Sequence, residues 1–130
     1  MLKDFEKVLI DEETLQKRIK ELAGEISRDY EGKNPLFIGI LKGSVFFITD
    51  LLRYLSVPAQ MDFMAVSSYG AGTKSSGEVK VLKDLNAPIA GKDVIIVEDI
   101  VDSGNTLSYL KRLLISRNPA SVKICTLLDK

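Results

Sequence analysis

The segment at residues 94–106 constrains more than any other what this chain can fold into. It opens with the β-branched run 94–97, in which no polar residue alternates with the apolar ones. Such a run is typical of a strand buried on both faces, as in a parallel sheet covered by helices. Apolar residues at helical spacing follow at positions 107, 110, 113 and 114. The segment therefore predicts a buried parallel strand, a short polar loop and a helix.

The polar loop carries an unusual mixture of charges. Glu98 and Asp99 directly follow the apolar run, and Asp102 precedes Ser103. A loop that enters a helix offers backbone N–H groups and the positive end of the helix dipole, which favour a phosphate, and the hydroxyls of Ser103 and Thr106 are further donors. Three acids would repel a bare anion. They favour instead a sugar phosphate bound with Mg²⁺, a cation that prefers few carboxylates together with water and substrate oxygens.

Composition excludes several classes of protein. A chain of 130 residues predicts one domain, and its eighteen basic and eighteen acidic residues indicate neither a nucleic-acid nor a membrane partner. Because histidine is absent, catalytic triads with histidine and nearly all zinc chemistry are excluded. The single Cys125, in an apolar stretch, predicts a small buried side chain and favours a cytoplasmic location.

Strands and helices alternate along the rest of the chain, which predicts an α/β fold: a mostly parallel central sheet flanked by helices. Asp11 is the predicted cap of the first helix. The predicted helices span residues 12–30 and 44–55, and the predicted strands span 36–41, 61–67, 79–82 and 121–128.

Two other stretches suggest binding. Where strand 36–41 meets the next helix, Lys42, Gly43 and Ser44 form a corner that offers backbone donors, a hydroxyl and an ammonium group to an anion. Many strand–helix corners carry such residues for geometry alone, so this pattern leaves both interpretations open. The polar segment 68–77 contains three glycines and predicts a flexible loop, which could also close over reactants.

The 94–107 segment resembles the phosphoribosyl-pyrophosphate (PRPP) motif of type I phosphoribosyltransferases, and its Glu98-Asp99 form is most similar to the hypoxanthine-guanine branch. The resemblance implies the type I phosphoribosyltransferase fold, Mg²⁺ as cofactor, and transfer of a phosphoribosyl group from PRPP to hypoxanthine or guanine in purine salvage. It also implies roles for the matching residues. Glu98 and Asp99 would hold the ribose hydroxyls and approach the metal, and Asp102 would act catalytically near the purine N7. The 5-phosphate would be bound by Ser103, Gly104, Asn105 and Thr106, and pyrophosphate by Leu41, Lys42 and Gly43, often through a cis peptide.

The resemblance extends to both ends of the ligand. Ser68 and Tyr69 match a pair that covers the pyrophosphate, and Lys130 matches the lysine that donates to the purine 6-oxo group. Family members continue beyond the equivalent of Lys130, so we expect a truncated chain with an incomplete hood over the base. The resemblance also implies that intact members of the family assemble as homodimers or homotetramers.

Two other hypotheses remain beside the enzyme. One is a non-catalytic or regulatory module of the same fold that binds PRPP or nucleotides. The other is a receiver-like phosphotransfer domain, which the sequence disfavours because receivers place acidic residues near the first strand, whereas this chain begins with a helical pattern.

Overall fold

The chain forms an α/β fold, described in a computed structural model for residues 11–67, 80–101 and 105–129. The predicted alternation of strands and helices is confirmed along these residues. In chain order the elements are α1 (Glu12–Asp29), β1 (Leu36–Leu41), α2 (Val45–Arg53), β2 (Gln60–Ser67), β3 (Lys80–Lys83), β4 (Asp93–Val101), α3 (Asn105–Ile115) and β5 (Ser121–Asp129).

The five strands make one sheet in the order β3-β2-β1-β4-β5. β1 pairs in parallel with both β2 and β4, and β4 pairs in parallel with β5, while β3 is antiparallel to β2. The prediction of a mostly parallel sheet is therefore confirmed, and the weak strand expected at 79–82 is the antiparallel edge strand, displaced by one residue.

Helices cover both faces of the sheet. The run 94–97 explains why, since its side chains alternate between two buried clusters and none of the four is more than 2% exposed. Ile95 and Val97 pack with α1 and α2, and Val94 and Ile96 pack with α3. The α3 side also receives the leucines predicted as a stripe, of which Leu107, Leu110 and Leu114 are buried and Leu113 is partly buried.

α1 begins at the predicted cap. The Asp11 carboxylate accepts a hydrogen bond of 2.7 Å from the Thr14 N–H, which lowers the pKa of that carboxyl. Glu12 and Glu13 add negative charge beside the exposed N–H groups of the first turn. The apolar stripe of the helix then buries Ile19, Leu22, Ala23 and Ile26 against the sheet.

Gly39 in β1 leaves room for the side chains of Phe63 on β2 and Ile48 on α2. A Cβ atom at this position would lie 2.9 Å from Cε1 of Phe63 and 3.2 Å from Cδ1 of Ile48. Both distances are shorter than ordinary carbon–carbon contacts. Any larger residue would therefore require the side chains of Phe63 and Ile48 to shift.

Gly39→Ala should lower the free energy of unfolding by about 1–3 kcal/mol because of this overcrowding. Urea unfolding would measure the loss. Gly24→Ala, in the middle of α1, is the matched control, since its added Cβ meets only Arg28 Nη1, at 3.6 Å. There the methyl group should stabilise the helix by roughly 0.5–1 kcal/mol. Equal effects of the two substitutions would contradict the crowding at Gly39.

Candidate active site at the carboxyl edge of the sheet

The sheet has a switch point between β1 and β4. From β1 the chain proceeds through α2 to β2 on one side, and from β4 it proceeds through α3 to β5 on the other. α2 and α3 pack on opposite faces of the sheet. A crevice for ligands is expected outside the carboxyl ends of two such strands, where the helices diverge. The predicted corner after β1 and the predicted acids of β4 both occur at this place.

The corner after β1 is exposed at its tip. Lys42 and Gly43 are both exposed, and the Leu41–Lys42 peptide bond is cis. The Val45 N–H donates to the Lys42 carbonyl at 3.2 Å and closes the turn into α2. The tip of the turn, with the Lys42 side chain and the Gly43 backbone, is thus exposed.

Ser44 differs from the prediction of a hydroxyl that faces the anion. Its side chain is fully buried, and its Oγ donates to the Ile40 carbonyl at 2.7 Å. The physical reason is the sharp turn from strand to helix, which leaves the Ile40 carbonyl within reach of the serine. The hydroxyl therefore belongs to the turn itself.

The sequence predicts that the acidic pair follows the strand. In the structure the pair lies within β4. β4 continues to Val101 because β5 pairs with it along this length, with Glu98 opposite Thr126 and Val101 opposite Asp129. The pairing between β1 and β4 ends at Gly39 and Val97.

The corner and the acids both come directly after the paired part of β1 and β4. Two residues beyond the pair Gly39–Val97 come Leu41 on β1 and Asp99 on β4. Leu41 and Asp99 thus both follow within two residues of the last paired positions of the two strands. Glu98 is half-buried.

The helix after β4 starts earlier than predicted. Asn105 and Thr106, expected in the loop, form the first turn of α3, and Thr106 is half-buried. A three-residue connection is left between Val101 and Asn105. It consists of Asp102, Ser103 and Gly104, which lie outside the described residues, as do Ser68, Tyr69 and Lys130.

Cys125 is the buried free thiol that the sequence predicted. Burial raises the pKa of this thiol to about 11, so it is neutral near pH 7. A neutral, enclosed thiol is a poor nucleophile. Cys125 therefore contributes packing on the α1 side of β5.

The described residues do not bring together three or more of the side chains that usually hold a metal ion. Mg²⁺ is usually bound by one or two carboxylates together with water and substrate oxygens. The pair Glu98 and Asp99 fits that donor set.

Across the described ranges, we find no helix with the length and apolar character needed to cross a bilayer.

Comparison with known protein families shows to which class this fold belongs. The family model of the phosphoribosyl transferase domain matches residues 9–130. The chain therefore belongs to the phosphoribosyltransferase family.

Known relatives narrow this assignment to the hypoxanthine-guanine branch. The chain is 53% identical to the hypoxanthine-guanine phosphoribosyltransferase of Bacillus subtilis, over 100% of the chain and 72% of that protein. A crystal structure of such an enzyme from Bacillus anthracis superposes with a TM-score of 0.89 at 50% identity, covering 94% of this chain and 72% of the other. The chain is also 58% identical to the bifunctional protein TilS/HprT of Listeria innocua. That match covers all 130 residues of this chain but only 20% of the length of the Listeria protein.

Proposed function

We propose that this chain carries the activity for which its relatives are named: transfer of the 5-phosphoribosyl group from PRPP to hypoxanthine or guanine, giving IMP or GMP and pyrophosphate, in purine salvage. One observation carries the proposal. An exposed Lys42-Gly43 corner follows β1, and a pair of acids lies on the adjacent parallel strand β4 just beyond its last pairing with β1, at the switch point of the sheet. A ligand with an anion at each end and hydroxyls between them fits this edge.

The pyrophosphate end of PRPP would bind at the corner formed by Leu41, Lys42 and Gly43. Exposed backbone groups and the Lys42 ammonium supply donors and positive charge. α2 begins directly after the corner, and its N-terminus adds a partial positive charge. Ser68 and Tyr69 would cover this end and exclude water from the activated sugar.

The ribose 5-phosphate end would bind along β4 and the start of α3. Glu98 and Asp99 would accept hydrogen bonds from the ribose hydroxyls. The connection into α3 would supply N–H and hydroxyl donors to the phosphate from Ser103, Gly104, Asn105 and Thr106. α3 has eleven residues, so its dipole favours an anion at this terminus.

The chemical step would require no nucleophile from the protein. The purine nitrogen attacks the anomeric carbon as pyrophosphate departs, and the sugar acquires oxocarbenium character. Catalysis then depends on alignment and on the placement of charge. Asp102 would accept or share the purine N7 proton, and Lys130 would donate to the 6-oxo group, which disfavours adenine because its 6-amino group is not an acceptor.

Glu98 and Asp99 would also hold Mg²⁺, directly or through water. When bound, the cation neutralises the negative charge of the pyrophosphate. The protein's own contribution is to orient the ribose and the two anionic ends relative to one another. We further propose a cytoplasmic enzyme that assembles as a homodimer or homotetramer and whose ligands are small molecules.

The test is an assay with PRPP, Mg²⁺ and hypoxanthine or guanine that follows nucleotide and pyrophosphate together. We expect stoichiometric products with either base, far slower reaction with adenine, and loss of turnover when EDTA removes the metal. Binding of PRPP without product would instead support a non-catalytic PRPP-binding module. Neither binding nor product would reject the proposed function for this chain.

A further inference from the structure

Ser44 stands at the corner, yet it uses its hydroxyl in an unexpected way. It occupies the position before α2 where a serine ordinarily accepts a hydrogen bond from an N–H group of the first helical turn. Among the described residues, its side chain makes no such capping bond. The Oγ atom donates backward to the Ile40 carbonyl at 2.7 Å, and the Ser44 N–H donates to the same oxygen at 3.3 Å.

These two bonds close a loop of five residues, from Ile40 to Ser44. Ile40 is 4% exposed and Ser44 is 0% exposed, so the closure is held inside the protein. Lys42 and Gly43 lie within the loop and are exposed. The buried contact is therefore the base of the turn, and the exposed residues are its tip.

We propose that Ser44 is a positioning residue for the pyrophosphate end of the site: its buried hydroxyl holds the turn that presents Lys42 and Gly43, and it does not touch the anion. This inference rests on the proposed function. A binding group that is already fixed loses little conformational freedom when the ligand arrives, so weakening the base of the turn should weaken binding at its tip.

Thr49, within α2, provides a matched control. Its Oγ1 donates to the Val45 carbonyl at 2.7 Å, which is the same i to i−4 bond at the same length, but Thr49 is exposed and lies more than one helical turn beyond the corner. Ser44→Ala and Thr49→Ala thus remove the same type of bond, the first from the turn before α2 and the second from within α2.

Steady-state kinetics should separate the two variants. Ser44→Ala should raise KM for PRPP roughly fivefold, the change expected if about 1 kcal/mol is lost, and should leave KM for hypoxanthine within about twofold. Thr49→Ala should leave both constants unchanged. Similar effects of the two variants, or equal loss for both substrates after Ser44→Ala, would overturn the proposal.

Ser44→Cys distinguishes the hydrogen bond from packing and guards against a folding defect. Cysteine nearly preserves the volume but is a weak donor. If the bond matters, Ser44→Cys should behave like Ser44→Ala. Wild-type kinetics with Ser44→Cys would mean that Ser44 only fills space, and the positioning role would be wrong.

Hydrogen exchange tests the turn without any ligand. The Val45 amide donates to Lys42 within the turn, and it should exchange about fivefold faster in Ser44→Ala and Ser44→Cys than in the wild type. Unchanged exchange would refute the structural part of the inference. If the wild type neither binds PRPP nor forms product, the proposed function fails, and this measurement still decides whether Ser44 holds the turn.

Discussion

Asp102→Asn should lower kcat for nucleotide formation by roughly a hundredfold or more, the range typical of a lost general acid or base. An amide keeps the size and much of the hydrogen-bonding capacity of the carboxylate, but it cannot take up the purine proton at neutral pH. Because Asp102 is not among the groups we assign to the phosphates, the dissociation constant for PRPP should change by less than about threefold. Rapid-quench kinetics and equilibrium binding of PRPP would measure the two quantities separately.

Asp29→Asn is the control for a lost carboxylate. Asp29 is the exposed last residue of α1, and its neighbour Tyr30 lies near Asp93 at the start of β4, so it is at the edge of the sheet opposite the proposed site. The Asp29→Asn substitution should leave kcat unchanged. Equal loss of PRPP binding and turnover in Asp102→Asn would contradict the catalytic role and indicate that Asp102 shapes the phosphate loop instead.

Much of this fold could be predicted because its elements are encoded locally. The run 94–97 carries no polar residue, so no half-exposed strand could accommodate it, and the structure buries all four of its side chains. The cap at Asp11 is also a local matter of one carboxylate and one N–H group. The expectation that the corner and the acids share one edge of the sheet follows from parallel topology alone.

What could not be predicted depends on partners distant in the sequence. The sequence predicts that Glu98 and Asp99 follow a strand, but pairing with β5 extends β4 through them. The hydroxyl of Ser44 could have faced a ligand or the backbone, and only the path of the chain around Ile40 decides between the two. The close approach at Gly39 involves Phe63 and Ile48, which no local pattern associates with it.

Phe37→Ala should lower the free energy of unfolding by about 3–5 kcal/mol, as expected for deletion of a buried aromatic ring. Phe37 is 0% exposed in β1 and belongs to the cluster that α1 and α2 bury against the sheet. The loss is a large part of the roughly 5–15 kcal/mol by which domains are stable. Phe46→Ala, at the exposed start of α2, is the control with the same change in side chain, because Phe46 is 84% exposed. It should change stability by less than about 0.5 kcal/mol.

The two large effects differ in how PRPP should alter them. Phe37→Ala reduces the folded population and leaves the groups of the proposed site in place, so ligand binding can compensate. PRPP at a hundred times its dissociation constant should restore about 2.7 kcal/mol of stability, and specific activity should recover with it. Asp102→Asn removes a reacting group, so no concentration of PRPP should restore its turnover. Activity of Phe37→Ala that stays low in saturating PRPP, although melting curves show the protein folded, would mean that the β1 core also determines the geometry of the corner.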